Sequence, residues 1–279
     1  MPIDFNIPLD ETDILRCTRY PSKTSDPQSL IILAHGFKGF KDFAMFPYAA
    51  DQLSRHHEVI TFNFSHNGIG DHPQEFTEME KFAVNTYDRE LRDMDVLIAH
   101  LRQDSKLASL PLFLIGHSRG AGVCLVYGFD HPRTLTGVLS WNGVTNLDLF
   151  TEEQKTGMRE YGRSHVINSR TGQRMPLDMV ILEDLDRQQA RYDILGRIAF
   201  ADFAVALVQG TEDHLLEGSR RLVQANPHIP WIQIQGGNHT FNTVHPFQGA
   251  SRQLKDALNA SELFISDVLR NRHHSVINK

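Results

Sequence analysis

The chain reads as an α/β protein built on a mostly parallel central sheet with helices on both faces. Three observations predict this. From Leu30 onward, short β-branched apolar runs alternate with stretches of helical periodicity, the pattern of strands joined by crossover helices. Several of those runs end in glycine-bearing turns that carry reactive side chains, at 35–37, 116–120, 210–213 and 236–239. The 279 residues are enough for one large domain with a sizeable core and an insertion.

Taken in order, residues 3–20 form an opening strand pair with a turn near Asp10-Glu11-Thr12-Asp13, and the polar segment from Pro21 to Pro27 is a loop. Leu30 to Ala34 is a buried strand that runs into His35-Gly36-Phe37. Glu58 to Phe64 supplies another central strand, and helices are predicted near 43–55, 80–103, 119–129, 217–225 and 251–270. Gly137 to Trp141 is a further strand. After it the rhythm breaks: Val144 to Asp202 is far longer than the roughly 2–6 residues of an ordinary connection. Within this insertion Thr151-Glu152-Glu153-Gln154 signals a helix start, and Ser169 to Gln173 signals a hairpin. Two more strands, Ala204 to Val208 and Trp231 to Gln235, complete the sheet.

The strongest chemical signal is Gly116-His117-Ser118-Arg119-Gly120, set between the apolar run Leu112 to Ile115 and a helix-like stretch. Gly-x-Ser-x-Gly alone arises by chance in roughly one chain in ten of this length, so its context decides. A strand, a sharp glycine-flanked turn and a helix present a serine hydroxyl beside a base and at a helix N-terminus. Asp213 follows the next strand but one, and His239 follows the last, so Ser118, Asp213 and His239 would project from one edge of the sheet. Acyl transfer also needs donors aimed at the developing oxyanion, and the backbone N–H groups of Phe37 and Arg119 are the candidates. Glu212 is the alternative acid, and His214 and His245 are the alternative bases. His35 and His117 read as buried neutral histidines bonded to backbone. His66 stands either at the cleft rim or in a loop-stabilising role. Lys38 and Lys41 would either attract an acidic substrate or stay solvated, and neither is taken as a site residue.

On these motifs the sequence resembles the α/β-hydrolase superfamily, from about Leu30 to His239. Within it the chain is most similar to small esterases of the cinnamoyl (feruloyl) kind and to the hydrolase domains of prolyl-oligopeptidase relatives. The resemblance implies an α/β-hydrolase fold in a single domain, residues 1–279, with 144–202 as a cap or lid over the active site. It implies a serine hydrolase of carboxylic esters with Ser118, Asp213 and His239 as the triad and a small-molecule ester as substrate. Six apolar insertion residues, Phe150, Met158, Tyr161, Met175, Met179 and Tyr192, would mostly hold the cap to the body, with at least one touching an aromatic or alkyl substrate. Two alternatives stay open: a peptidase on short or N-blocked peptides, disfavoured because 279 residues leave no room for a propeller, and a catalytically silent scaffold.

Composition narrows the rest. A net charge of −6 and a pI near 6.2 give no basic footprint for nucleic acid. The N-terminus has no secretory pattern, and no apolar run approaches the roughly 20 residues of a bilayer span, so a cytoplasmic protein without membrane contact is expected. Cys17 and Cys124 indicate no disulfide framework. No cofactor is expected. No metal is expected either: the 15 histidines include no His-Glu-x-x-His, and the adjacent pairs His56-His57 and His273-His274 would point about 100° apart on a helix.

Overall fold

The computed structural model describes residues 1–277, and side chains as far as Arg272; the pair His273-His274 therefore lies outside the described side chains. The elements run β1 (Ile3–Pro8), β2 (Ile14–Tyr20), β3 (Leu30–Ala34), α1 (Phe46–Leu53), β4 (Glu58–Phe62), α2 (Met79–Ala83), α3 (Tyr87–Leu101), β5 (Leu112–His117), α4 (Arg119–Asp130) and β6 (Gly137–Trp141). There follow α5 (Glu152–Tyr161), β7 (Arg163–Ile167), β8 (Arg174–Asp178), α6 (Val180–Arg187) and α7 (Ile194–Arg197). The chain then re-enters the body through β9 (Ala204–Gly210), α8 (Leu216–Ala225), β10 (Trp231–Ile234) and α9 (Arg252–Ile277).

Eight strands make one sheet in the order β1-β2-β4-β3-β5-β6-β9-β10. β1 and β2 pair antiparallel and β2 joins β4 antiparallel, while every pairing from β4 to β10 is parallel. Side chains alternate across a strand, and each central strand therefore feeds two cores. Leu30, Ile32, Leu112 and Leu114 pack with α3 and α4 on one face, whereas Ile31, Leu33, Phe113 and Ile115 pack with α1 and α9 on the other. Burial on both faces explains why these strands read as unbroken apolar runs.

The chain passes from β3 outward to β4 and then returns to β5 on the other side of β3. This reversal leaves a crevice beyond the carboxyl ends of β3 and β5, where the loops after them diverge. The segment between β6 and β9 contributes the separate β7-β8 hairpin and joins the body through a third apolar cluster. Phe40, Ile69, Phe76 and Phe82 of the body meet Phe150, Met158, Met175, Leu177, Ile181 and Leu182 of the segment there. The Thr151 signal is a full capping box: Gln154 N–H donates to the Thr151 hydroxyl at 3.2 Å, and Thr151 N–H donates to the Gln154 side chain at 3.0 Å.

One predicted helix is two. The stretch 80–103 breaks at Val84-Asn85-Thr86, because Thr86 caps α3 by accepting from Arg89 N–H at 3.3 Å. The buried Asp184 carboxylate of α6 also accepts from Tyr87 N–H at 3.0 Å, so a partner far along the chain holds the new helix start. Lys41 departs from both readings made of it. It is buried, and its ammonium donates to the Thr18 hydroxyl and to Asp42, each at 2.8 Å. None of the described helices is long and apolar enough to cross a membrane.

Candidate active site

Ser118 stands between β5 and α4 with φ 55° and ψ −122°, a conformation that costs a non-glycine residue about 1–3 kcal/mol. The surroundings hold it there. Its N–H donates to Trp141 O at 3.0 Å, and its carbonyl accepts from Ala121 and Val144 N–H, both at 3.1 Å. Two glycines allow the turn to sit this close to its neighbours. A Cβ on Gly120 would lie 2.4 Å from His35 O, and one on Gly36 would lie 2.9 Å from the Ser118 Cβ.

The structure brings Ser118, Asp213 and His239 together. His239 Nε2 is 3.0 Å from Ser118 Oγ, and His239 Nδ1 is 2.9 Å from Asp213 Oδ1. The carboxylate has only acceptor capacity, so Nδ1 carries the proton and Nε2 is left to accept from the serine hydroxyl. Burial pushes the Asp213 carboxyl up, but hydrogen bonds from His239 and from Gln209 (2.8 Å to Oδ2) outweigh it and hold the group below the ordinary carboxylate range. Of the alternatives, Glu212 is exposed on the same turn and, among the described residues, makes no hydrogen bond to His239. His245 instead accepts from Ala44 N–H at 3.1 Å. His214, itself exposed, places Nδ1 2.9 Å from the same Asp213 oxygen and leans on the His239 ring at 4.7 Å between centroids.

The candidate oxyanion donors lie on either side of the serine. Among the described residues, neither Phe37 N–H nor Arg119 N–H donates to a protein acceptor. Arg119 N is the first amide of the twelve-residue α4, where the helix dipole favours negative charge. The Arg119 side chain turns inward. Its guanidinium pairs with buried Glu90 at 3.0 Å and donates to Asn85 O at 3.2 Å, with its centre 4.1 Å from the Tyr87 ring and 5.2 Å from the Phe37 ring. The side chain of one candidate donor residue thus contacts the ring of the other. Burial raises the Glu90 carboxyl and works against the charge of Arg119, while Arg119 itself ends above its ordinary value because Glu90 outweighs its own burial.

The two histidines of the motifs are structural supports. His35 Nδ1 donates to Gly36 O at 2.9 Å and Nε2 accepts from Phe64 N–H at 3.3 Å; burial lowers its pKa to about 4. His117 Nε2 donates to His239 O at 2.7 Å, and burial lowers its pKa to about 3. His66 is buried between Ser65 Oγ (2.8 Å) and Arg89 (3.2 Å), away from the cleft residues. Sequence reasoning missed Asn142 and Gln209. Asn142 donates to Asn238 O at 3.1 Å and to His239 O at 3.0 Å while accepting from Gly210 N–H at 2.7 Å, so it ties the acid turn to the histidine turn. The only local signal was an Asn-Gly pair after β6, which also reads as a plain turn.

A cavity of about 310 Å³ opens over Ser118 and His239. Its apolar wall comes from the body, through Phe37, Phe43 and Phe46. The insertion contributes Asn168, Ser169 and Arg170 from the tip of the β7-β8 hairpin. None of the six apolar insertion residues lines it. Phe150, Met158 and Met175 are in the cluster that joins segment to body, Met179 packs against that cluster, Tyr192 is in the main core, and Tyr161 faces solvent. The helix faces of the insertion were needed for attachment, so a turn was left to meet the cavity.

The mostly parallel eight-stranded sheet, with a serine held on a strained strand-to-helix turn, defines an α/β-hydrolase. The chain belongs to the serine aminopeptidase S33 family, a hydrolase family whose model matches residues 25–213. That match reaches Ser118 and Asp213 but stops short of His239. A curated relative, the monoglyceride lipase homolog of Monkeypox virus, is 24% identical over 138 residues, which are 50% of this chain and 46% of that protein; the chain spans about half the length of this relative. Among solved structures, Est1E from Butyrivibrio proteoclasticus with ferulic acid bound superposes with a TM-score of 0.71 at 14% identity, covering 95% of this chain and 99% of that one. Alpha/beta hydrolase domain-containing protein 10 from mouse gives a TM-score of 0.68 at 16% identity, with 95% and 99% covered. At these identities the structural likeness speaks for the fold alone.

Proposed function

We propose that this protein is a serine-dependent hydrolase of carboxylic esters with small to medium acyl groups, aromatic ones among them, acting through an acyl-enzyme. The observation that carries the reading is the continuous chain of contacts Asp213–His239–Ser118, at 2.9 Å and 3.0 Å. Ser118 Oγ attacks the ester carbonyl as His239 Nε2 takes its proton, and Asp213 stabilises the imidazolium that results. The amides of Phe37 and Arg119 receive the oxyanion. His239 then protonates the departing alcohol, and a water attacks the acyl-enzyme by the same route in reverse.

The insertion 144–202 serves in this reading as the cap, meeting the cavity through the hairpin tip, while Phe37, Phe43 and Phe46 hold the acyl group. The monoglyceride lipase name of the viral relative supports ester chemistry. A second reading is hydrolysis of short or N-blocked peptides by the same atoms, and the aminopeptidase description favours the short-peptide form of it.

The test is a set of initial rates on p-nitrophenyl esters, from acetate to longer and aromatic acyl groups, beside acyl-aminoacyl anilides. Ser118→Ala should lower kcat on the order of 10⁶-fold. Turnover that survives the substitution would sink the reading. Anilide cleavage at rates comparable with the esters would favour the peptidase, and no serine-dependent turnover of either kind would leave a silent scaffold.

A further inference from the structure

Lys38 and Arg170 meet at the mouth of the Ser118 cavity, one from the loop after β3 and the other from the β7-β8 turn. Lys38 Nζ donates to Ile167 O at 3.1 Å. Arg170 donates to Lys38 O at 2.9 Å, with its guanidinium 4.4 Å from the Phe43 ring centroid. Among the described residues no carboxylate lines the cavity, and neither cation forms an ion pair with one. Elsewhere in the chain Arg16, Arg19, Arg163, Arg191 and Arg197 each bond a carboxylate. Two neighbouring cations repel, with Lys38 half-buried and Arg170 exposed at the mouth. Burial, with the Arg170 charge added to it, holds the Lys38 ammonium below its ordinary value.

A third group points the same way. Asn168 lines the same cavity and is 1% exposed. Its side-chain oxygen accepts from Arg170 N–H at 3.1 Å, which identifies Nδ2 as the remaining atom, and this buried donor has no acceptor. Among the described residues, a donor without an acceptor thus belongs to the same wall as two cations that pair with no carboxylate. A guanidinium and a primary amide both offer N–H groups in a plane, a shape that suits a carboxylate.

We propose that Lys38, Arg170 and Asn168 form an anion-recognising subsite of the Ser118 cavity, which selects esters carrying a second, free carboxylate. This rests on the ester-hydrolase reading above and adds a substrate class to it. The body loop and the hairpin tip would each supply one charge, so the subsite exists only where the insertion meets the body.

Two substrate pairs test it from both sides of the scissile bond: p-nitrophenyl hydrogen adipate against p-nitrophenyl methyl adipate, and 4-acetoxybenzoate against its methyl ester. The readout is the ratio of kcat/KM for the anionic ester to that for the neutral one, taken within each protein so that general losses cancel. In the Lys38→Met/Arg170→Gln double variant the ratio should fall about 10- to 100-fold for at least one pair, the range expected for hydrogen bonds to a charged group. Arg170→Lys should retain most of it. A ratio unchanged in both pairs overturns the subsite while leaving ester hydrolysis intact. Calorimetric binding of monomethyl adipate to the intact protein, without turnover, separates the two readings. Binding that the double variant loses upholds the subsite even if no ester is cleaved, and binding that the double variant keeps overturns it.

Discussion

The two sides of the cavity are held by different kinds of contact. On the body side, Ser118, Arg119 and His239 rest on buried and fully engaged groups: the Arg119–Glu90 pair at 3.0 Å, His117 to His239 O at 2.7 Å, and Asn142 across two turns. On the insertion side, the hairpin tip reaches the body through side-chain to backbone hydrogen bonds near solvent, from Lys38 to Ile167 O, from Arg170 to Lys38 O, and from Gln173 to Phe76 O at 2.9 Å. Groups that must hold a reacting atom within fractions of an ångström gain from burial, because packing locks their rotamers. Groups that sort substrates tolerate movement. The difference teaches that the triad side of the cavity is held by the more buried contacts and the hairpin side by the more exposed ones, and four substitutions probe that contrast.

The largest effect belongs to the body. Asp213→Asn keeps the shape but leaves His239 without its anionic partner, and kcat should fall about 10⁴-fold with far-UV circular dichroism unchanged. A loss under tenfold would break the contrast by showing that the acid is elsewhere. Next comes Glu90→Gln, which strands the buried Arg119 cation. Stability should drop by about 3–5 kcal/mol in urea unfolding, and kcat should fall more than KM rises, since Arg119 and Phe37 would shift together. A change in KM alone would separate the buried pair from the candidate oxyanion donors.

The third probe is acid. His117 has its pKa lowered to about 3 from an ordinary 6.5, so between those values the unfolded chain holds a proton that the folded one does not. Stability then rises with pH across this window and is lost on acidification, by about 1.4 kcal/mol per pH unit for one such histidine. His35, lowered to about 4, acts in the same direction. Asp93, raised by burial to about 7, acts in the opposite direction, because the folded state keeps its proton between 3.8 and that value. His117→Gln can still donate to His239 O and should flatten the fall in stability between pH 6 and 4 by about 1.4 kcal/mol per unit. An unchanged slope in denaturant titrations would show that His117 is protonated in the fold. The smallest effect lies in the insertion: Thr151→Ala removes its capping box and should cost about 1 kcal/mol, leaving the ratio between anionic and neutral esters where it was. A collapse of kcat instead would mean that the insertion helps to hold the reacting groups.

Much of this was legible in the chain. Central strands buried on both faces must be apolar throughout, so β3, β5, β6 and β9 stood out together with the turns that follow them. Ser118 and Asp213 were singled out because each comes soon after such a run, and His239 because it follows the alternating strand β10. The positions of α2 and α3 were less readable, since the break between them depends on Asp184, a partner from α6. Lys41 looked solvated because nothing nearby in sequence announces Thr18, the acceptor that β2 brings to it.

By itself, the sequence determined the local preferences: which runs become strands, where glycines allow the chain to turn at Ser118, and which side chains follow each strand. Period, propensity and steric freedom act over a few residues and can be read in place. Tertiary structure decided the strand order, the joining of the Asp213 and His239 turns through Asn142, the clamp of Glu90 on Arg119, and the meeting of Lys38 with Arg170. Those contacts bridge 29 to 132 residues of chain. They arise from burial and charge pairing that act only between parts brought together by the fold.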